Sequence, residues 1–334
     1  MNLHLKFQRV AILGSNSFAG RCLSKLMIEQ GREVLGISRS PQGSEIFFES
    51  DLIKRKNFRF LQADLNSHLD TIVEELNQWK PTVIFDLAGQ GMVAESWENP
   101  EQWYQTNIVA KTKLQKLLLS SNFLERYVRV STPEVYGHSN RLLSESWEFK
   151  PSTPYAVSHA AADMTLKIFH TEYGFPVVFT RFANFYGPRQ QLYRIIPRAI
   201  VYGYLNRRLG LDGGGKSVRS FIYGDDVAVA LQASAEVGKV GEIYHFTSGH
   251  FLTIRSVVEL ICDQLQIPIE TLCFDQAERP GKDLAYLMNA DKALTELGWK
   301  PATVLEDGIA ATIRWVSKHI NQIQALPLYY EHRE

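Results

Sequence analysis

Arg9-Val10-Ala11-Ile12-Leu13-Gly14-Ser15-Asn16-Ser17-Phe18-Ala19-Gly20 decides the fold of this chain. An apolar run leads straight into a glycine, the pattern of a short buried strand that ends in a tight turn. A helical run through Gln30 follows and is closed by Gly31. Glycine lets the backbone turn at Gly14 and lets helix and strand approach at Gly20. The helix start then offers its first amides to a pyrophosphate. Ser17 stands where the usual pattern has its middle glycine, so context has to carry the reading. Glu33-Val34-Leu35-Gly36-Ile37-Ser38 supplies it, as a second strand at the distance of a strand–helix–strand unit.

That second strand does not end in the acid that would bond a free ribose 2′-hydroxyl; it runs into Ser38-Arg39-Ser40. A guanidinium and two hydroxyls suit a 2′-phosphate, so NADP(H) is expected, with NAD(H) the alternative. Phe58-Arg59-Phe60-Leu61-Gln62-Ala63-Asp64 reads as a third strand, with Asp64 placed to meet an adenine amino group. Thr82-Val83-Ile84-Phe85-Asp86-Leu87-Ala88-Gly89 reads as a fourth, ending in small residues that let a nicotinamide ribose lie close. Alternation continues through Val177-Val178-Phe179-Thr180-Arg181. The expected class is α/β, a doubly wound parallel (Rossmann) sheet with a smaller C-terminal α/β substrate domain. Residues 1–185 form the dinucleotide half, residues 186–334 the substrate half, and segments around 221–250 interleave with the first.

At 334 residues the chain exceeds one average domain and has ample material for a large core. Its 36 basic and 36 acidic residues cancel, so no basic field invites nucleic acid or a membrane surface. Cys22, Cys262 and Cys273 lack metal-ligand spacing; they are expected to be reduced, buried and inert, as in a cytoplasmic protein, and no metal is expected. Met1 to Gln8 lacks the apolar core of a signal peptide, and no run approaches membrane-spanning length.

Chemistry is carried by Ser131-Thr132-Pro133-Glu134-Val135-Tyr136-Gly137 and by Tyr155-Ala156-Val157-Ser158-His159. The first follows the strand-like Tyr127-Val128-Arg129-Val130, setting a hydroxyl and a carboxylate at a strand's C-terminal end, where open α/β sheets bind ligands. The second opens a helix, which puts Tyr155 and His159 one turn apart on one face.

With these residues the chain resembles an extended short-chain dehydrogenase/reductase acting on nucleotide sugars, most similar to the 4,6-dehydratases of GDP-mannose or dTDP-glucose type. The resemblance spans nearly the whole length. It rests on Gly14–Gly20, Asp64-Leu65, Leu87-Ala88-Gly89-Gln90, Asn107, Ser131-Thr132, Tyr155, Arg181 to Pro188, Arg219-Ser220-Phe221, Arg279 to Asp283 and Leu297 to Pro301. It implies cofactor contacts from Gly14, Ser17, Phe18, Gly20, Arg39, Asp64, Leu65, Leu87, Ala88 and Gly89, together with Tyr155 and His159. It implies catalysis by Thr132, Glu134, Tyr155 and His159: Tyr155 a base for the sugar 4-hydroxyl, Thr132 a polariser of its oxygen, Glu134 a base at C5. Where glucose-type dehydratases carry an acid for the departing 6-hydroxyl this chain has Pro133, so either Glu134 returns the proton, as in mannose-type enzymes, or water does.

The family's Tyr-x-x-x-Lys is Tyr-x-x-x-His here. An ordinary tyrosine near pKa 10 needs roughly two to three units of help to act as a base at neutral pH. Histidine near 6.5 supplies far less field than lysine, though it still donates a hydrogen bond to the ribose. Three expectations follow: activity with a raised pH optimum or a protonated His159, a slowed or specialised enzyme, or nucleotide-sugar binding without turnover.

The resemblance also implies substrate contacts from Ser96, Asn184 and Arg194, with Arg219 and Arg279 clamping the diphosphate through their planar forks. Gly213-Gly214-Gly215 is expected to make a tight turn between two substrate-domain strands rather than a phosphate loop. Helices at about Glu101–Ser121 and Tyr155–Tyr173 carry apolar residues on more than one face, and in this family such helices pair into a homodimer. The partner expected besides is a nucleoside-diphosphate sugar. Sister reactions (4-epimerase, 4-keto reductase or decarboxylase) and a non-catalytic binding role are the alternatives.

Overall fold

The computed structural model describes residues 7–278 and 284–332. Its strands are β1 (Arg9–Leu13), β2 (Glu33–Ser38), β3 (Phe58–Gln62), β4 (Val83–Asp86), β5 (Arg126–Ser131), β6 (Ser139–Leu143), β7 (Val177–Phe182) and β8 (Asn184–Tyr186). They continue as β9 (Leu209–Asp212), β10 (Val218–Arg219), β11 (Phe221–Tyr223), β12 (Ile243–Phe246), β13 (Leu252–Thr253), β14 (Cys273–Gln276) and β15 (Tyr286–Met288). Seven of them form one sheet in the order β12-β7-β5-β4-β1-β2-β3, every pair parallel. The order reverses between β1 and β4, which opens a crevice outside their carboxyl ends.

Successive side chains of a strand point to opposite faces, and both faces are covered here. Val10 and Ile12 of β1 join a core with Leu23 and Met27 of α1 (Phe18–Glu29). Ala11 and Leu13 join the other, among Ile72 and Leu76, Leu114 and Leu118, and Leu166. After α2 (Ser50–Ile53) these belong to α3 (Leu69–Trp79), then, past α4 (Pro100–Tyr104), to α5 (Lys111–Leu118) and α6 (Pro154–Tyr173). A third core gathers the substrate side: α7 (Ile195–Tyr204) contributes Ile196 and Ile200. Beyond α8 (Gly224–Glu236), α9 (Ile254–Leu265) adds Val257 and Ile261; beyond α10 (Ile269–Leu272) and α11 (Asp291–Leu297), α12 (Leu305–Ile323) adds Ile309 and Val316. After the substrate-side segments begin, β12 returns to lie beside β7 at the sheet edge, so chain order and spatial halves interleave.

One local expectation changes. The helix expected over Glu101–Ser121 is α4, a π-helical turn over Gln105–Ala110, and α5 ending at Leu118. The wider turn lets Asn107 reach inward, where Gln90 N donates to its Oδ1 at 2.8 Å and its Nδ2 donates to Gln90 O at 3.0 Å and Ser158 Oγ at 3.0 Å. Gly213–Gly215 makes the expected turn between two strands, β9 and β10, which pair with β14 and β13 rather than with each other.

Beyond α12 the tail docks. Leu328 is buried, the Tyr330 ring meets Tyr193 edge-on at 5.2 Å, and the His332 ring stacks on Trp103 at 5.1 Å while bonding Gln102. No helix among the described residues is long and apolar enough to cross a membrane.

Candidate active site

The turn after β1 is as tight as its glycines imply. Gly14 has φ +80°, and a Cβ there would sit 2.7 Å from Ala88 N, in the turn that ends β4. A Cβ on Gly20 would sit 2.3 Å from Gly14 O, so α1 reaches the turn only because position 20 is bare. Ser17 caps α1, its Oγ accepting from Gly20 N at 3.0 Å. Phe18 and Ala19 also lie in that first turn, whose amides have no intrahelical acceptor and suit a pyrophosphate. Ser38, at the end of β2, is buried and accepts from Asn16 N at 2.9 Å, while Arg39 beyond it is half-buried. Asp64 binds its own turn, Oδ1 accepting from Asn66 N at 2.7 Å, with Leu65 buried beside it. Leu87 N donates to Leu13 O at 2.9 Å, which holds Leu87, Ala88 and Gly89 against β1. A helix start drawn this close to the sheet by bare glycines fits a bound dinucleotide.

At the end of β5, Thr132 caps a 3-10 turn over Pro133–Tyr136, its Oγ1 accepting from Glu134 N at 3.2 Å. On α6, capped by Thr153 and led by Pro154, the Tyr155 and His159 rings pack with centroids 4.6 Å apart, tilted by 55°. Burial pushes the Tyr155 phenol well above its ordinary value, and the Glu134 carboxylate pushes the same way. A hydrogen bond with Thr132 and the charges of Arg194 and Arg129 pull it back. Thr132, Glu134, Tyr155 and His159 therefore meet in one place, with Arg194 in electrostatic reach. Ser96 is fully buried behind them, donating to Val93 O at 2.7 Å and accepting from Tyr155 N at 3.2 Å.

Underneath lies a group that the sequence reading did not single out. Lys111 Nζ pairs with Asp86 at 2.9 Å, Arg129 bonds Asp86 at 3.3 Å and Asp163 at 3.2 Å, and Arg181 bonds Asp163 at 3.3 Å. All five side chains are 0–1% exposed. Ser131 Oγ also donates to Asp163, at 2.6 Å. Charged residues inside apolar strands, such as Arg129 in Tyr127-Val128-Arg129-Val130, were the available signal, because an ion buried in a sheet must have partners.

This group decides the state of His159. Arg129 NH2 lies 3.2 Å from His159 Nδ1. Burial, then the charges of Arg129 and Lys111, hold the imidazole well below its ordinary pKa. These neighbours weigh against a protonated His159.

On the substrate side, Asn184 Oδ1 accepts from Tyr286 OH at 3.0 Å. Arg219 is 9% exposed, lies over the Tyr286 ring at 4.4 Å and donates to Val218 O and Leu284 O. Arg194 precedes α7, next to Tyr193 and the docked tail. Arg279, with Pro280 to Asp283, lies outside the described residues. Burial raises the thiols of Cys262 and Cys273 to about 11 and that of Cys22 to about 12, so all three stay protonated; Cys22 is only half-buried.

A doubly wound sheet, a glycine-turn cradle and a Thr–Tyr pair beside it define a short-chain dehydrogenase/reductase. The comparisons are narrower: the chain belongs to the family described as GDP-mannose 4,6 dehydratase, whose model matches residues 12–312. The dTDP-glucose 4,6-dehydratase of Salmonella typhimurium is 29% identical over 335 residues, covering 92% of each chain. The dTDP-D-glucose 4,6-dehydratase of Mus musculus is 32% identical over 277 residues, 80% of this chain and 76% of that one. Among solved structures, the dTDP-glucose 4,6-dehydratase DesIV of Streptomyces venezuelae, with NAD bound, superposes with a TM-score of 0.86 at 27% identity, covering 94% of this chain and 98% of that one. A UDP-glucose 4-epimerase of Thermotoga maritima shares the fold alone, with a TM-score of 0.85 at 24% identity over 93% of this chain and 99% of that one.

Proposed function

We propose that this chain is a nucleotide-sugar 4,6-dehydratase, converting a nucleoside-diphosphate hexose to its 4-keto-6-deoxy form. The observation that carries the reading is Glu134 beside Tyr155 and Thr132, at the carboxyl end of β5. When bound, a nicotinamide cofactor supplies a hydride acceptor at C4 and a hydride donor at C6. The chain does the rest. Tyr155 takes the proton of the 4-hydroxyl while the Thr132 hydroxyl bonds its oxygen. The resulting ketone acidifies C5–H, and Glu134 removes that proton. Pro133 carries no acid, so Glu134 passes the proton to the 6-oxygen, which leaves as water; Glu134 then returns to C5 a proton drawn from solvent, which balances the one Tyr155 releases. Asn184, Arg194 and Arg219 hold the sugar and diphosphate, and Arg279 is assigned the same task.

The cofactor is assigned as NADP(H), on the strength of Arg39 after β2; the solved DesIV structure named above contains NAD, which keeps NAD(H) as the alternative. Fluorescence titration with both forms decides it, and at least tenfold tighter NADPH binding is expected.

The second copy is assigned to the outer face of α5 and α6. Val109, Leu117, Val157, Met164 and Ile168 are 38–57% exposed there, which supports a homodimer.

The activity is tested by incubating purified protein with GDP-, dTDP-, UDP- and CDP-hexoses and following mass. Loss of one water from one of them is expected. Loss of carbon dioxide from a uronic acid substrate indicates decarboxylation, and an unchanged mass with altered retention indicates epimerisation. Unchanged substrate throughout, despite bound cofactor, overturns the reading.

A further inference from the structure

Among the described residues, the buried cations Lys111, Arg129 and Arg181 outnumber the carboxylates Asp86 and Asp163 by one. The surplus charge lies directly beneath the catalytic helix. Tyr155, His159 and Asp163 follow one another at four-residue spacing on a single face of α6. Asp163 holds Arg129 through its Nε, which leaves NH2 facing His159 Nδ1 at 3.2 Å. A guanidinium has no acceptor, so it donates and Nδ1 accepts. The ring proton is then fixed on Nε2, and His159 is a neutral donor that cannot take a second proton without facing Arg129 proton to proton.

We propose that Arg129 is a positioning residue that takes over the work of the absent lysine: it sets His159 as the Nε2–H donor and, together with Arg194, supplies positive charge to Tyr155. The inference rests on the dehydratase reading for its consequence in catalysis, and on the geometry alone for the state of His159. It follows that lysine at 159 and arginine at 129 exclude each other. A lysine ammonium would replace the accepting nitrogen with a second cation against Arg129, in a site where charge is poorly solvated.

Two measurements test this on the whole protein. Nitrogen NMR of histidine-labelled wild type should show His159 as a neutral Nε2–H tautomer from pH 5 to 9; a ring titrating near 6.5 overturns the proposal. Steady-state rates for Arg129→Met should show the rising limb of kcat moved up by about one pH unit, roughly a tenfold loss at neutral pH, with Arg129→Lys recovering most of it. A loss equal at every pH, or a limb left in place, means a structural role only and overturns the field assignment. His159→Lys should melt lower than wild type with no gain in rate, and His159→Lys with Arg129→Met should recover the melting temperature. A single His159→Lys that is both faster and as stable as wild type sinks the exclusion. If wild type turns over no nucleotide sugar, the dehydratase reading fails, while the NMR and melting data still judge Arg129.

Discussion

At the scale of single residues, the site depends on ions kept out of water. Removing one member of a buried ion group leaves another uncompensated, at a typical cost of 3–5 kcal/mol. Asp163 serves Arg129, Arg181 and Ser131 together, so Asp163→Asn should lower the urea-unfolding free energy by about 3–5 kcal/mol. The histidines give the opposite face of the same physics. Burial, then Arg181, lowers His245 to about 3, and His159 is depressed as well. A depressed folded pKa means that the unfolded chain binds the proton first. Each histidine's contribution is complete above about pH 6.5 and declines as pH falls, by about 1.4 kcal/mol per unit, until the folded value is reached. Unfolding free energy measured from pH 7 to 4 should therefore fall with a slope approaching two protons. His245→Gln should remove about half of that slope; an unchanged slope would mean that His245 is not held neutral. Glu134→Gln should leave cofactor binding intact and cost about 10²–10⁴ in kcat, read by single-turnover water loss.

At the scale of elements, most of the fold was legible. The runs at Arg9–Leu13, Glu33–Ser38 and Phe58–Gln62 are apolar enough to be buried, and glycines mark where they turn, so the local signal and the tertiary outcome agree. Gly20→Ala tests the strictest of these agreements. Its Cβ would collide with the Gly14 carbonyl, so about 2–3 kcal/mol of stability and most cofactor affinity should go, measured by thermal melts and fluorescence titration. What escaped the sequence was long-range. The π-helical turn at Gln105–Ala110 exists because Asn107 answers the backbone of Gln90, and helical periodicity carries no record of that partner. That Thr132, Glu134 and Tyr155 gather in one place was legible because motif spacing places them. Arg129, Lys111 and Asp86 were not, because their partners lie 25 to 43 residues away and only the closed sheet brings them together. The state of His159 followed from the same omission: its neighbours, rather than its own chemistry, decide its charge.

At the scale of the whole molecule, α6 works on both sides. Its inner face carries Tyr155, His159 and Asp163, and its outer face exposes Met164 and Ile168, at 54% and 57%. Met164→Glu with Ile168→Glu should give a monomer by light scattering. It should also lower kcat several-fold if the paired helix steadies Tyr155. A dimer that survives both charges places the interface elsewhere.

The docked tail has a consequence in time. Tyr330 lies beside Tyr193 and in the fields of Glu95, Arg39 and Arg194, while His332 rests on Trp103, so the strap crosses from the substrate side to the cofactor side. It is held by a few ring contacts, the His332–Gln102 hydrogen bond and one buried leucine, the part of a structure that opens first. From Leu328 to His332 the free strap reaches only about 14 Å, so a detached ring stays within sight of its seat. Opening of a docked segment runs from microseconds to seconds, whereas enzymes commonly turn over about 1–10³ times per second. The two ranges overlap, so release of the strap falls on the same clock as a catalytic cycle.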